Sequence, residues 1–452
     1  MIFSVATVAT ILSLTASTSS SPLYKRQGGS SGLPKNATEV SGSDGNTTYT
    51  IVNDTFNGTS LNTPVFESVP QYYNQTFNSS NEPFPNARQI YTPATQNGTN
   101  ATGLDYPFQP SGGLLIKNPT YTVRSNFDFQ SLNLALNQEL IELDLFHNGL
   151  ARFSTADFEA AGLNADDRYL IEHMANQEVS HALAVGNMLG PSRSAKMCSY
   201  SYPFSTVKEF IAFCELLTRF GEAGVYGFLG QLDSRPASQI LLQSITTEAR
   251  QQMNFRQLLG LPAQPEHFET GLPQSYAWTM LSPFIKSCPE SNPRVQWQNF
   301  PALNVTNQPY ALGGTPGISS NYTLTSGSGR LVEFTWEEPG KVVGYNDLYM
   351  TSTVAGEPKF LAFINQLNVS YAPIFNISNF TSSAMNSTGS NNTVAMHTAS
   401  AYVPEGVVYP GQPQAVNTVF VSLVDQNVSV TPYNLSMINN HTVAGPTWYF
   451  AS

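Results

Sequence analysis

Residues 171–188 read IEHMANQEVSHALAVGNM. Within them Ile171, Met174, Glu178, His181, Val185 and Met188 recur at steps of three and four, which places them on one stripe of an α-helix. Glu178 and His181 are three apart and leave that stripe side by side. A carboxylate on an apolar stripe is costly to bury unless it is paired, hydrogen-bonded or bound to a metal. Three neighbouring helical patterns repeat the feature. The one before it carries Leu132, Leu136, Glu139, Leu143, Phe146 and Leu150, with Glu142 on the flank. The third carries Ile211, Glu215, Thr218, Glu222, Val225 and Leu229, and the fourth Leu241, Ile245, Glu248, Gln251, Phe255 and Leu258. The order is Glu, Glu-x-x-His, Glu, Glu-x-x-Gln. A four-helix bundle that holds two metal ions uses one Glu from each of two helices and Glu-x-x-His from the other two. This chain has Gln251 where the second His belongs.

At LNLALNQE (residues 132–139), QEVSH (177–181) and GEAGV (221–225) the sequence resembles the ferritin-like domain of desiccation-related and fungal stress-response proteins. The resemblance covers residues 126–288. It implies a four-helix bundle, a role in stress or nutrient starvation, and iron or manganese as cofactor. Carried over position by position, it names Glu139 or Glu142, Glu178, His181, Glu222 and Glu248 as candidate ligands, with Glu215 competing with Glu222. In that reading Glu178 bridges and His181 is a terminal ligand.

Two readings of the four acidic stripes remain open. In one, the carboxylates hold a metal for redox chemistry on peroxide or dioxygen. In the other, no cofactor is bound and the protein is a metal-free wall or matrix component. Gln251 favours the second, because an amide oxygen is a weaker ligand than imidazole for these metals. Without a cation, close carboxylates repel and some hold protons. A nearby Gln or Arg then replaces the cation, although Arg219 and Arg250 are both expected to point off their stripes. A third reading, a hydrolase in the C-terminal region, has no nucleophile motif to support it.

The chain has 452 residues, of which only 11% are charged, against roughly 25% in ordinary soluble proteins. Net charge is −11 and no basic run occurs, so nucleic acid and anionic membranes are poor partners. Residues 1–20 form a short apolar run that reads as a secretory signal rather than a transmembrane segment. Lys25-Arg26 is a candidate processing site. Residues 21–122 read as a Ser/Thr/Asn-rich arm, sugar-coated in its early part and extended over the bundle later. Its Asn-x-Ser/Thr acceptors are Asn36, Asn46, Asn53, Asn57, Asn74, Asn78, Asn97 and Asn100. Residues 123–290 hold the bundle and contain no acceptor. Residues 291–452 read as a β-rich domain, expected to be a sandwich. Its acceptors are Asn304, Asn321, Asn368, Asn376, Asn379, Asn386, Asn391, Asn427, Asn434 and Asn440. The fold class is therefore α+β multidomain. The expected location is secreted, cell-surface or cell-wall, with N-linked glycans and cell-wall or homo-oligomer contacts.

Helix ends are signalled by Asn148-Gly149, by Asn164 with Asp167, by Gly190-Pro191, by Thr206 with Glu209, by Pro236 and by Gly260. A short fifth helix is expected over residues 276–285, broken at Pro283. Strands are expected at 321–324, 330–336, 341–345, 360–364, 368–371, 393–402 and 416–424, with a turn at residues 337–340. His397 and His441 read as structural or surface residues. Of three cysteines, Cys214 is expected to stay a buried thiol and Cys198 and Cys288 could close the helical domain with a disulfide, a pairing that spacing alone does not fix.

Overall fold

The computed structural model describes residues 38–41, 48–51, 121–190, 192–309, 316–317, 327–385, 391–405 and 418–450. The candidate signal, the processing site, the N-terminal acceptors, Asn321, Asn386 and the strand expected at 321–324 lie outside the described residues. In the arm, β1 (Thr38–Ser41) pairs antiparallel with β2 (Thr48–Ile51).

Four long helices build the bundle: α1 (Asn126–Arg152), α3 (Ala165–Leu189), α4 (Val207–Leu229) and α5 (Arg235–Leu258). Their apolar stripes merge in one core containing Leu136, Phe146, Met174, Val185, Ile211, Leu241 and Phe255. Capping boxes start α3 at Asn164/Asp167 and α4 at Thr206/Glu209. Gly190 ends α3 with φ +99°, a conformation that favours glycine. The expected stop at Asn148-Gly149 does not occur, and α1 runs on to Arg152. A Cβ at Gly149 would lie 2.1 Å from the Phe210 ring. This glycine therefore serves close packing against α4 rather than termination. The first connection holds a short helix, α2 (Thr155–Ala160), set by a Ser154/Asp157 capping box that the apolar pattern alone did not reveal.

The start of α5 is held from another helix. Its N-cap Ser234 makes no side-chain capping bond. Instead the buried Asp128 of α1 accepts from Asp233 N at 2.8 Å and Ser234 N at 3.0 Å, and from Arg124 N at 2.9 Å. One carboxylate thus satisfies orphan donors of α5 while tying α5 to α1.

After the bundle come α6 (Gln274–Leu281) and a 3-10 turn at Ser282–Phe284, followed by β4 (Ile285–Ser287). β4 pairs with β3 (Ser199–Tyr200), and Cys198 and Cys288 are bonded beside that pair. Cys214 is buried and free.

Two four-stranded antiparallel sheets follow. The first has the order β10-β9-β13-β14, from Asn368–Pro373, Phe360–Asn365, Thr418–Val424 and Thr442–Phe450. The second has the order β11-β12-β6-β5, from Phe375–Met385, Asn391–Tyr402, Leu331–Glu337 and Leu303–Val305. Val332, Phe334, Leu361, Val419, Val421 and Ala401 interleave between them, so the two form a sandwich. β6 alternates buried and exposed, as a strand with one wet face does. β13 is buried at every position. Its other face, with Ala362 and Ile364 of β9, joins the core of the bundle through Phe420 and Val424. A sheet covered on both sides needs no polar face, hence the unbroken run TVFVSLV.

The strand expected over 341–345 shrinks to β7 (Val342–Val343), which pairs with β8 (Tyr349–Met350). Gly344, Asn346 and Asp347 take positive φ and curl the chain into a 3-10 turn instead. Gly340, also at positive φ, ends the turn after β6. β5, β11 and β14 fall outside the expected strands. Asp128→Ala is expected to lower stability by roughly 1–3 kcal/mol in urea unfolding, with Asp128→Asn losing less. An unchanged midpoint for Asp128→Ala would show that the bridge to α5 contributes nothing.

Candidate metal centre

Three helices deliver acidic groups to one point. Glu139 comes from α1, Glu178 and His181 from α3, and Glu248 from α5. One ligand atom from each lies within 4.8 Å of all the others. His181 Nδ1 is 3.2 Å from Glu178 Oε2, 3.4 Å from Glu139 Oε2 and 3.6 Å from Glu248 Oε1. The carboxylates are buried, whereas the His181 side chain keeps 11% exposure. The cluster therefore approaches solvent on the imidazole side.

Glu142 is one turn along α1 from Glu139 and fully buried. It is not among the four converging groups, and its Oε1 accepts from Gln138 Nε2 at 2.9 Å. Gln138 can lie there because residue 221 has no side chain: a Cβ at Gly221 would come within 2.3 Å of Gln138 Nε2. Gln251, in place of the expected His, donates its amide Nε2 to Glu178 Oε1 and, at 3.1 Å, to Gln177 Oε1.

The remaining long helix, α4, does not contribute. Glu222 faces Arg219 at 3.2 Å, and Glu215 faces Arg256 at 3.2 Å. Arg219, expected to point off its stripe, is completely buried. It also binds Glu266 at 2.7 Å, Glu269 at 2.5 Å and Thr270 Oγ1 at 3.0 Å. Arg250 is exposed and donates to Thr247. The α4 glutamates thus have arginine partners, and sequence reasoning missed this because it placed Arg219 by period alone. His397 and His441 lie elsewhere, on Asn379 and Glu338 and on Asp425 respectively.

Electrostatics follow from this crowding. Burial pushes the Glu139 carboxyl up to about 7; Glu178 adds to the rise and His181 opposes it. Burial, with Glu178 and Glu139 adding, holds Glu142 well above the carboxylate range. Glu248 is raised in the same way by burial and by Glu139, Glu142 and Glu178. Burial alone would lower the His181 imidazole, but Glu178 and Glu139 together raise it well above its ordinary value. Burial also raises Glu222, with Glu269 adding and Arg219 opposing.

The donor set suits a divalent cation. Glu139 Oε2, Glu142 Oε2, Glu248 Oε1 and Gln251 Oε1 are buried with no hydrogen-bond donor. Orphaned buried carboxylate oxygens are rare unless something positive faces them. Oxygen-rich sites with one imidazole suit iron(II) and manganese(II).

Comparison with known proteins agrees with this geometry. Residues 127–261 match the family described as "Ferritin-like domain". The protein rds1 of Schizosaccharomyces pombe is 47% identical over 362 residues, covering 76% of this chain and 86% of its own length. This chain is a ferritin-like protein of the rds1 family. The likeness to rds1 spans more of the chain than the 127–261 match.

The shift at Glu139 has a sign that can be measured in chelator. The unfolded carboxyl ionises near the ordinary value of 4.5 and the folded one at about 7. Between those values the folded chain holds more protons, so stability is fully present below the lower value and is lost as pH rises through the window. One proton corresponds to about 1.4 kcal/mol per pH unit. Glu139→Gln is expected to flatten the pH profile of the metal-free melting temperature over this window. Parallel profiles for the variant and the parent would contradict the assignment.

Proposed function

We propose that this protein is a secreted, glycosylated stress-response protein whose bundle holds a single iron or manganese ion. The observation that carries the reading is the convergence of Glu139, Glu178, His181 and Glu248, in which Glu139 Oε2 and Glu248 Oε1 are buried, make no hydrogen bond and have the His181 Nδ1 nearby, at 3.4 and 3.6 Å. Glu139 Oε2, Glu178 Oε2, Glu248 Oε1 and His181 Nδ1 would hold the ion. Iron or manganese supplies electron transfer with peroxide or dioxygen.

The chain's own residues shape the rest. Gln251 occupies Glu178 Oε1, which leaves one oxygen of that carboxylate for an ion and removes the bridging role expected for it. Arg219 and Arg256 neutralise Glu222 and Glu215, the groups a second ion would need. Both substitutions of function point to one ion rather than two. Glu142, braced by Gln138, stands beside the cluster with its carboxyl held above the ordinary range by burial. Of the four groups His181 is the most exposed, at 11% against 0–2% for the three carboxylates, so the imidazole is the side of the cluster nearest solvent.

The metal-free scaffold is the second reading, and the Gln251 bond to Glu178 favours it. Raised carboxyl pKa values let the cluster persist on shared protons. No helix of the described residues is long and apolar enough to cross a membrane, which agrees with either reading.

Metal analysis of protein purified from a glycosylating secretory host separates them. About one iron or manganese per chain is expected, lost in Glu178→Ala with helicity retained, and kept in Glu222→Gln. Two ions per chain, or loss in Glu222→Gln, would overturn the single-ion assignment. Absence of metal together with an unchanged melting temperature in chelator would establish the scaffold.

A further inference from the structure

The open side of the sandwich carries a concentrated set of modification signals. Among the described strands, β10 and β11 end their sheets on the same side, joined directly through Ile374. On the opposite side the two sheets are drawn together, since Gly445 N of β14 donates to Pro301 O beside β5 at 2.8 Å. The open edges therefore belong to β10 and β11. β11 is long, with eleven residues, and presents Ile377 at 53% and Phe380 at 42% exposure. A long, exposed, apolar edge strand is a template for pairing with another chain, and natural proteins block it.

Ile377 and Phe380 are each the middle residue of an Asn-x-Ser/Thr acceptor: Asn376-Ile377-Ser378 and Asn379-Phe380-Thr381. The other open edge carries Asn368-Val369-Ser370. All three asparagines are exposed. Asn368 Nδ2 donates to Ser370 Oγ of its own acceptor at 3.3 Å. Asn379 accepts from His397 Nδ1 through its amide oxygen at 2.7 Å, so that bond leaves the nitrogen, which carries the sugar, for attachment. Asn376 takes a positive φ of 54° at an irregularity in the β11–β12 register, a second edge-blocking device. Of the four inner strands, β9, β13 and β6 carry no acceptor and β12 carries one, Asn391, at its first residue; the opposite edge strand β5 carries Asn304, and the bundle from residue 123 to residue 290 carries none.

We infer that Asn368, Asn376 and Asn379 are N-glycosylated and that their glycans keep the β10–β11 edge from pairing with a second copy of the chain. The inference rests on the secretion reading above. In each transfer Asn Nδ2 bonds to the anomeric carbon of a lipid-linked oligosaccharide diphosphate. The anomeric C–O bond to the diphosphate breaks, the lipid diphosphate leaves, and the amide proton passes to a base of the transferase. Bulky, hydrated sugars then stand over Ile377 and Phe380, where an added strand would dock.

The test uses the full chain from a glycosylating secretory host. Peptide mapping after enzymatic deglycosylation reads the Asn-to-Asp mass shift at each acceptor. The combined variant Ser370→Ala, Ser378→Ala, Thr381→Ala removes these three acceptors and keeps every asparagine. Ser429→Ala removes the loop acceptor at Asn427 as a control. Light scattering is expected to show multimers for the combined variant and the parent's mass for the control. Adding Ile377→Lys to the combined variant is expected to restore the parent's mass by charging the edge. No glycan anywhere would overturn secretion and this inference together. Glycans elsewhere with these three sites bare, or a combined variant as monodisperse as the parent, would overturn this inference alone.

Discussion

Four carboxyl groups and one imidazole share the interior of a helical bundle, and that crowding constrains the rest of the structure. Glu139, Glu142, Glu178 and Glu248 cannot all be charged at short range in a low-dielectric core without a compensating cation or protons. Each helix must therefore hold its carboxylate in place against repulsion. The scaffold does so with neighbours that have no chemistry of their own. Gly221 makes room for Gln138, which braces Glu142. Gln251 braces Glu178. Asp128 ties the first turn of α5, the helix that carries Glu248, to α1.

The same electrostatic demand explains the arginines. Burying Arg219 without partners would be prohibitive, and so would burying Glu222. Together with Glu266 and Glu269 they form a network whose charges offset one another away from His181. That network also anchors the second domain. Thr270, which accepts from Arg219, in turn accepts from Gln366 N at 2.6 Å in the β9–β10 turn. Gln366 Oε1 accepts from His267 N at 2.9 Å and Phe268 N at 3.0 Å. The Arg219 guanidinium lies 5.8 Å from the centre of the Phe420 ring on β13. The segment after α5 thus links the charged interior of the bundle to the sheet that covers it.

The sandwich divides its surfaces by what they meet. Its first sheet is apolar on both faces because one meets the second sheet and the other meets the bundle through α6, where Tyr276 Oη lies 2.6 Å from Thr442 Oγ1. The cross-domain contacts therefore combine apolar packing with side-chain hydrogen bonds. Polar residues occupy the strand edges and loops that remain.

The helical bundle was legible in the sequence because helical period is a local property. Spacing alone put Glu139, Glu178, His181 and Glu248 on inward stripes, and caps such as Asn164/Asp167 marked where α3 begins. The β-rich character of the C-terminal region was equally legible from its composition. Tertiary structure alone decided which of the acidic stripes meet. Glu222 has the right period but is taken by Arg219, since ion pairing depends on side-chain reach across helices and not on spacing along one. It also decided why α1 passes through Gly149, where a facing phenylalanine matters more than the turn signal. In the same way, strands such as β11 and β14 became visible only when pairing with non-local neighbours supplied the hydrogen bonds that their own sequences do not announce.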